Sequence, residues 1–391
     1  MKMKFIDEVD IRNKRVLLRV DFNVPLKPDG TIADDSRIRE TIPTIKYLLD
    51  RRNKVIIVSH LGRPEKINAH DSLEKVGLKL HAYLPDCKWY FVPNFMKDIS
   101  LLEKQKPREF ALLENIRFYP GEEANDDVLA EQLAKLADVY VNDAFAVSHR
   151  KAASVLAITK YLPSYGGLLL KKEITMLNKI ILKPKKPLIA ILSGKKISTK
   201  IKFISKLIRL VDYILLAGGL ANTFLAAKGF EIGKSISAKE EIKEAKSLTS
   251  LARKHGAQIM LPEDAIVATN PDGNTSQEKS INNIAKNDHI LDIGPKTQAL
   301  YETYISKAKT IIWNGPVGYF ENPIFKKGTD FIYYCVLQNP HAISVVGGGD
   351  TIAAIAGLKD LDKITHISTG GGAMLAYIED GTLVGIEALK R

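Results

Sequence analysis

VVGGGDTIAA, residues 345–354, carries a β-branched run through a glycine triplet into a helix-like stretch, and HISTGGGAM, residues 366–374, repeats the pattern just downstream. Glycine is costly in ordered structure because its unfolded chain has more freedom to lose. Two such triplets, each between a strand and a helix, predict a backbone that bends tightly or is approached closely. A glycine turn feeding a helix also offers free backbone amides and the positive end of a helix dipole, a ready seat for a phosphate group. The chain contains neither G-x-G-x-x-G nor G-x-x-x-x-G-K-[ST], and GFEIGKS at 229–235 has the wrong spacing, so the usual dinucleotide and P-loop readings do not apply.

The same strand–turn–helix unit recurs outward from these triplets. RVLLRVDFN, KVIIVSH, FALLENIR and VYVNDAF in the first half, and PLIAILSG, YILLAGG, HILDIG, TIIWNGP and AISVVGGGD in the second, read as strands separated by stretches of helical spacing such as DDVLAEQLAKLADV. Alternation of this kind predicts an α/β protein built on parallel sheets covered by helices on both faces. At 391 residues the chain exceeds the size at which one core keeps growing, so two domains are expected. LLLKKEITMLNKIILKPKKP, 168–187, is amphipathic and ends in Pro184 and Pro187. Its place between the two α/β series makes it the expected connector, dividing a domain at 1–167 from one beginning at 187.

The composition is that of an ordinary globular protein, 45% hydrophobic and 26% charged. The opening MKMKFIDEVD lacks the apolar core of a secretory signal, and no run approaches the ~18 apolar residues of a membrane span, so a cytoplasmic protein is expected. Cys87 and Cys335 stand far apart and suggest neither a disulfide nor a metal site. A net charge of +12 favours anionic ligands. Residues 174–211 hold ten Lys and Arg and no Asp or Glu, but Phe203 is their single aromatic residue, so the stacking platform of a single-strand binder is missing.

In open parallel sheets ligands bind beyond the carboxyl ends of the strands. The runs of the first half end in Asp21, Asn23, His60, Arg63, Arg117, His149 and Arg150, and Arg37 in DDSRIR adds another cation. Arginine suits phosphate and carboxylate because its planar fork donates two parallel hydrogen bonds. The runs of the second half end in Ser193, Gly194, Lys196, Gly218, Gly219 and the triplets 347–349 and 370–372. One half offers charged side chains and the other approachable backbone, which predicts two ligands with a phosphoryl group passing between them. Lys196 and Lys200 lie four apart and would share a helical face if the helix has begun there. Asp350 is expected either to cap a helix or to bind the Mg2+ that accompanies a nucleotide.

RVDFNVP, SHLGRP, LLENIRFYPGEE, NDAF followed by HR, LDIGPKT, WNGPVGYFE, GGGDT and STGGGA occur in the order found in phosphoglycerate kinases, which the chain resembles over essentially its whole length. The resemblance implies two Rossmann-like domains joined by a connector helix and hinge, at 1–167, 168–186 and 187–370, with 371–391 returning to the first. It implies that Asp21, Asn23, Arg37, His60, Leu61, Gly62, Arg63, Arg117 and Arg150 hold 3-phosphoglycerate or 1,3-bisphosphoglycerate. For the ADP or ATP it implies Gly194, Lys196, Lys200, Gly218, Asn314, Glu321, Gly348, Gly349, Asp350 and Thr351, with Glu321 at the ribose and Asp350 at Mg2+. Arg37, Lys196, Gly371 and Gly372 are the expected stabilisers of the transferring group, in a monomer that engages neither membrane nor nucleic acid. The sequence departs from the family pattern in AFAVSHRKAAS, where Ala152 replaces a basic histidine beside Lys151, and in SGKKISTK, with Ser193 and Thr199 in place of glycine and aspartate. The competing expectation is a nucleic-acid binder using 174–211 on a kinase-like scaffold, whose affinity would fall steeply with salt.

Overall fold

The computed structural model describes residues 3–195, 197–198 and 200–390. The chain forms two compact units, Met1–Thr175 with Thr382–Arg391, and Met176–Gly381.

The first unit is built on six strands, β1 (Arg15–Arg19), β2 (Lys54–Val58), β3 (Trp89–Val92), β4 (Phe110–Leu113), β5 (Val139–Asn142) and β6 (Ser164–Gly166), paired all-parallel in the order β3-β4-β2-β1-β5-β6. The helices are α1 (Ser36–Asp50), α2 (Glu74–Ala82), α3 (Ser100–Lys104), α4 (Asp127–Ala134) and the first part of α5 (Leu168–Ile181). Because a central parallel strand meets helices on both faces, its side chains are apolar without alternation. Val16, Leu17 and Leu18 of β1 and Val55, Ile56 and Ile57 of β2 are all buried. Each such aliphatic side chain contributes about 1.5–3 kcal/mol on full burial. Val16, Leu18, Val55 and Ile57 join Ile38, Ile45 and Leu48 of α1 in one core.

The second unit repeats the plan with β7 (Leu188–Leu192), β8 (Tyr213–Leu216), β9 (Gln258–Met260), β13 (Thr310–Asn314), β14 (Ile343–Gly347) and β15 (His366–Ile367), parallel in the order β15-β14-β13-β7-β8-β9. Its helices are α6 (Ile201–Ile208), α7 (Gly218–Ala227), α8 (Ile242–His255), α9 (Pro295–Ile305), α10 (Lys327–Leu337), α11 (Gly349–Ile355) and α12 (Gly371–Asp380), while α13 (Val384–Glu387) belongs to the first unit. Helix ends follow local chemistry. Pro295 opens α9, where its missing N–H has no partner to lose, and Gly256 closes α8 with φ +77° behind a basic last turn. The run HILDIG does not enter the parallel sheet. It forms β12 (His289–Ile293), which pairs antiparallel with β10 (Asp264–Ala268), itself antiparallel to β11 (Gln277–Ser280).

The basic segment 174–211 is divided among α5, β7, the loop after it and α6, with Phe203 buried in the core. No helix among the described residues is long and apolar enough to cross a membrane.

Candidate active site

In the first unit the charged residues come from the ends of four adjacent strands, β4, β2, β1 and β5, and from the first turn of α1. Asp21 and Asn23 follow β1, and each first serves the local backbone. Asp21 Oδ1 accepts from the Asn23 N–H at 3.0 Å, and Asn23 Oδ1 accepts from the Gly62 N–H at 2.8 Å, tying the β1 loop to the β2 loop. Arg37 Nη1 donates to Asp21 Oδ2. Gly62 turns with φ +63°, and Arg117 Nη1 donates to its carbonyl, while Asn115 Nδ2 donates to the Leu61 carbonyl at 2.7 Å. The β2 and β4 loops are thereby fixed on each other.

His60 is buried at the centre of this set. Burial, and then the charges of Arg19, Arg117, Arg37 and Arg150, push its pKa well below the usual histidine range. His60 is therefore neutral at pH 7, an uncharged ring among arginines. Burial and Arg150 likewise depress Arg117. Arg63 is exposed, and among the described residues it has no hydrogen-bond or ion-pair partner. The Arg150 side chain makes neither interaction with the described residues, and its Nε is buried without a partner; the neighbouring His149 leaves Nδ1 in the same state. Arg19, Arg37 and Arg117 have carboxylate partners in Glu122, Asp21 and Glu123, whereas Arg63 and Arg150 have none among the described residues, and such uncompensated cations are suited to an anionic ligand.

Nothing in the sequence pattern singles out Arg19, the last residue of β1, which follows the apolar run Val16–Leu18. It is 2% exposed, with Nε donating to Ser154 Oγ at 2.8 Å and Nη2 3.8 Å from Glu122 Oε1. The one hint was its separation by a single residue from Asp21 in RVDFN.

In the second unit the expected residues follow five adjacent strands, β15, β14, β13, β7 and β8. The two glycine triplets meet: a Cβ on Gly371 would lie 2.8 Å from the Cα of Gly348, which itself has φ +106°. Close backbone approach is thus one reason for the repeated glycines. Gly194 and Gly218 also have positive φ, +151° and +58°, and the Gly194 carbonyl accepts from Leu220 N–H at 2.7 Å. Asn314 donates through Nδ2 to the Gly347 carbonyl at 2.8 Å and accepts from Lys200 Nζ at 2.6 Å. Lys200 also donates to the Ser193 carbonyl at 2.7 Å, and burial lowers its pKa to about 8, opposed by the charge of Asp350. Thr351 Oγ1 accepts from Gly315 N–H at 2.7 Å, locking the β13 and β14 loops together.

Lys200 is the N-cap residue of α6, which begins at Ile201. Lys196 and Thr199 themselves lie outside the described residues. Asp350 sits within the first turn of α11, whose N-cap is Gly348, and makes no capping hydrogen bond. Among the described residues its exposed carboxylate has no hydrogen-bond partner, and neither has that of Glu321 after β13. Gly370–Gly372 open α12, with Gly372 exposed and Met374 N–H donating to the Gly370 carbonyl at 2.6 Å. Among the described residues no group of three or more His, Cys, Asp or Glu is arranged to hold a metal. An exposed carboxylate such as Asp350's fits Mg2+, which typically takes one or two carboxylates and completes its shell with phosphate oxygens and water.

The model of one family, described as phosphoglycerate kinase, matches residues 6–381. The chain is 47% identical to a phosphoglycerate kinase of Dictyoglomus turgidum, covering 97% of this chain and 96% of that one, and 45% identical to one of Koribacter versatilis, covering 98% of each. It is also similar to the solved structure of phosphoglycerate kinase from Coxiella burnetii, with a TM-score of 0.89 and 36% identity over 100% of this chain and 99% of that one.

Proposed function

The chain belongs to the phosphoglycerate kinase family, and from that premise we propose that its first unit binds the phosphoglycerate, its second binds the nucleotide, and the residues described above carry the transfer. The activity is that of a phosphotransferase with a carboxyl acceptor, using ADP or ATP as co-substrate. The acyl phosphate of 1,3-bisphosphoglycerate passes to ADP, leaving 3-phosphoglycerate and ATP, and the reaction runs in both directions. The observation that most directly supports the assignment of sites is the arginine cluster around neutral His60, in which the Arg150 side chain has no partner among the described residues.

In the reverse direction the nucleophile is a carboxylate, ionised at pH 7, so no general base is needed. The protein must supply position and charge neutralisation. Arg37, released from Asp21, and the amides at Gly371 and Gly372 stabilise the equatorial oxygens of the transferring group, together with Lys196. Arg63, Arg117 and Arg150 hold the distal phosphate and carboxyl of the three-carbon acid, and Asp21 and Asn23 face its hydroxyl. Lys200, Asn314, Gly194, Gly218 and Thr351 shape the nucleotide loops, with Glu321 at the ribose. Asp350 would hold the Mg2+ bound with the nucleotide, which supplies positive charge to the phosphate oxygens. The protein works as a cytoplasmic monomer.

The test is formation of ATP from MgADP and 1,3-bisphosphoglycerate by the purified chain. Turnover that requires both substrates is expected. Its absence at saturating concentrations would remove the assignment.

A further inference from the structure

We propose that Arg19 is a positioning residue for the phosphoglycerate site: its guanidinium fixes His60 as the neutral tautomer protonated on Nε2, making His60 an uncharged hydrogen-bond donor. The inference rests on the reading of the first unit as the phosphoglycerate site. Arg19 Nη2 lies 3.3 Å from His60 Nδ1. A guanidinium has five N–H groups and no acceptor, so the ring nitrogen facing it must be the acceptor. The one proton of a neutral imidazole is then left to Nε2. Nε2 makes no hydrogen bond with any described residue, which keeps that donor free for a ligand.

The opposite tautomer would need an acceptor beside Nδ1. The carboxylate nearest to it is Asp21 Oδ1 at 3.8 Å, beyond hydrogen-bond reach, and that carboxylate already accepts from Arg37 and the Asn23 N–H. An imidazolium would set two donors face to face and add a fifth positive charge to Arg19, Arg37, Arg117 and Arg150, which face the ring from β1, α1 and the β4 and β5 loops.

Arg19 is itself held from behind. Besides the Ser154 hydroxyl it donates Nη1 to the Val20 carbonyl, and Glu122 completes the set by accepting from Ser154 Oγ at 2.6 Å and Ser154 N–H at 2.9 Å. Arg19, Ser154 and Glu122 are all buried, so Arg19 acts on the ligand through His60.

Nitrogen-15 NMR of the full chain, with and without 3-phosphoglycerate, reads the ring directly. The expected result is Nδ1 unprotonated and Nε2 protonated, with no titration between about pH 5 and 8. An Nδ1–H tautomer, or imidazolium forming within that range, would overturn the proposal. Arg19→Met combined with Glu122→Gln removes both buried charges together, because removing one alone strands the other. In the folded double variant His60 should populate both tautomers and titrate, and KM for 3-phosphoglycerate should rise about tenfold, equivalent to ~1.4 kcal/mol. A loss of stability with unchanged ring shifts would show a merely structural Arg19 and refute the idea. Should the pair fail to fold, the wild-type spectrum decides by itself. A wild type inactive on 3-phosphoglycerate would instead overturn the functional reading and leave the tautomer measurement intact.

Discussion

Arg37 is engaged with Asp21 in the free protein, yet its partner can be exchanged because its side chain remains part-exposed. Charge-assisted hydrogen bonds are worth about 1.5–3 kcal/mol. Arg37→Ala should therefore lower kcat roughly tenfold to a hundredfold, with a smaller change in KM for 3-phosphoglycerate. Steady-state kinetics with unchanged kcat would exclude Arg37 from the transferring group. Asp350→Asn keeps shape and deletes charge at a side chain that caps nothing, so the activity curve against Mg2+ should move to higher concentration while thermal stability stays the same. Superimposable metal titrations would refute its role. Lys200 gives a pH prediction with a definite sign. Its pKa in the free protein is about 8, depressed by burial, and bound phosphate favours the ammonium. Below that pH the charged form is ready; above it, binding must take up a proton. MgADP affinity measured by calorimetry should thus fall as pH rises from about 8 to 10, and Lys200→Met should flatten that slope.

At the scale of elements, the glycine triplets separate two demands that look alike in sequence. A Cβ on Gly371 would press on the Gly348 backbone at 2.8 Å, whereas one on Gly349 would meet nothing within 4 Å. Gly371→Ala should cost about 1–3 kcal/mol, the usual range for overpacking, and also weaken MgADP binding by moving the α12 turn. Gly349→Ala should leave thermal stability within about 0.5 kcal/mol. Equal melting temperatures for the two variants would contradict the close approach. The triplets were legible as a requirement for glycine because the requirement is local. Which glycine is crowded was not, since β14 and β15 become neighbours only in the assembled sheet.

For the molecule as a whole, the residues assigned to the two ligands belong to different units, while phosphoryl transfer demands reacting atoms about 3–3.5 Å apart. Each ligand can shift a conformational equilibrium only by its differential affinity for the reactive state. Small-angle scattering should therefore give its smallest radius of gyration with 3-phosphoglycerate and an unreactive ATP analogue present together. A radius unchanged among the free protein, both single complexes and the ternary complex, all at saturation, would refute closure of the two units on transfer.

The sequence by itself determined the α/β class, the two sheets, the family and most of the residues proposed for the sites. Alternation of apolar runs with helical spacing is written residue by residue, and RVDFN, SHLGRP, GGGDT and STGGGA are contiguous motifs. Only the tertiary structure decided how those motifs act on one another. The order β4-β2-β1-β5 brings Arg19, Arg117 and Arg150 around His60, so that histidine is held neutral, and the arginine that ends β1 lies behind it. HILDIG has the composition of a parallel strand but pairs antiparallel with β10, and the lysine loop delays α6 until Ile201. In each case charge, burial or pairing depends on strands distant in sequence, and a local pattern carries no information about which neighbour it will meet.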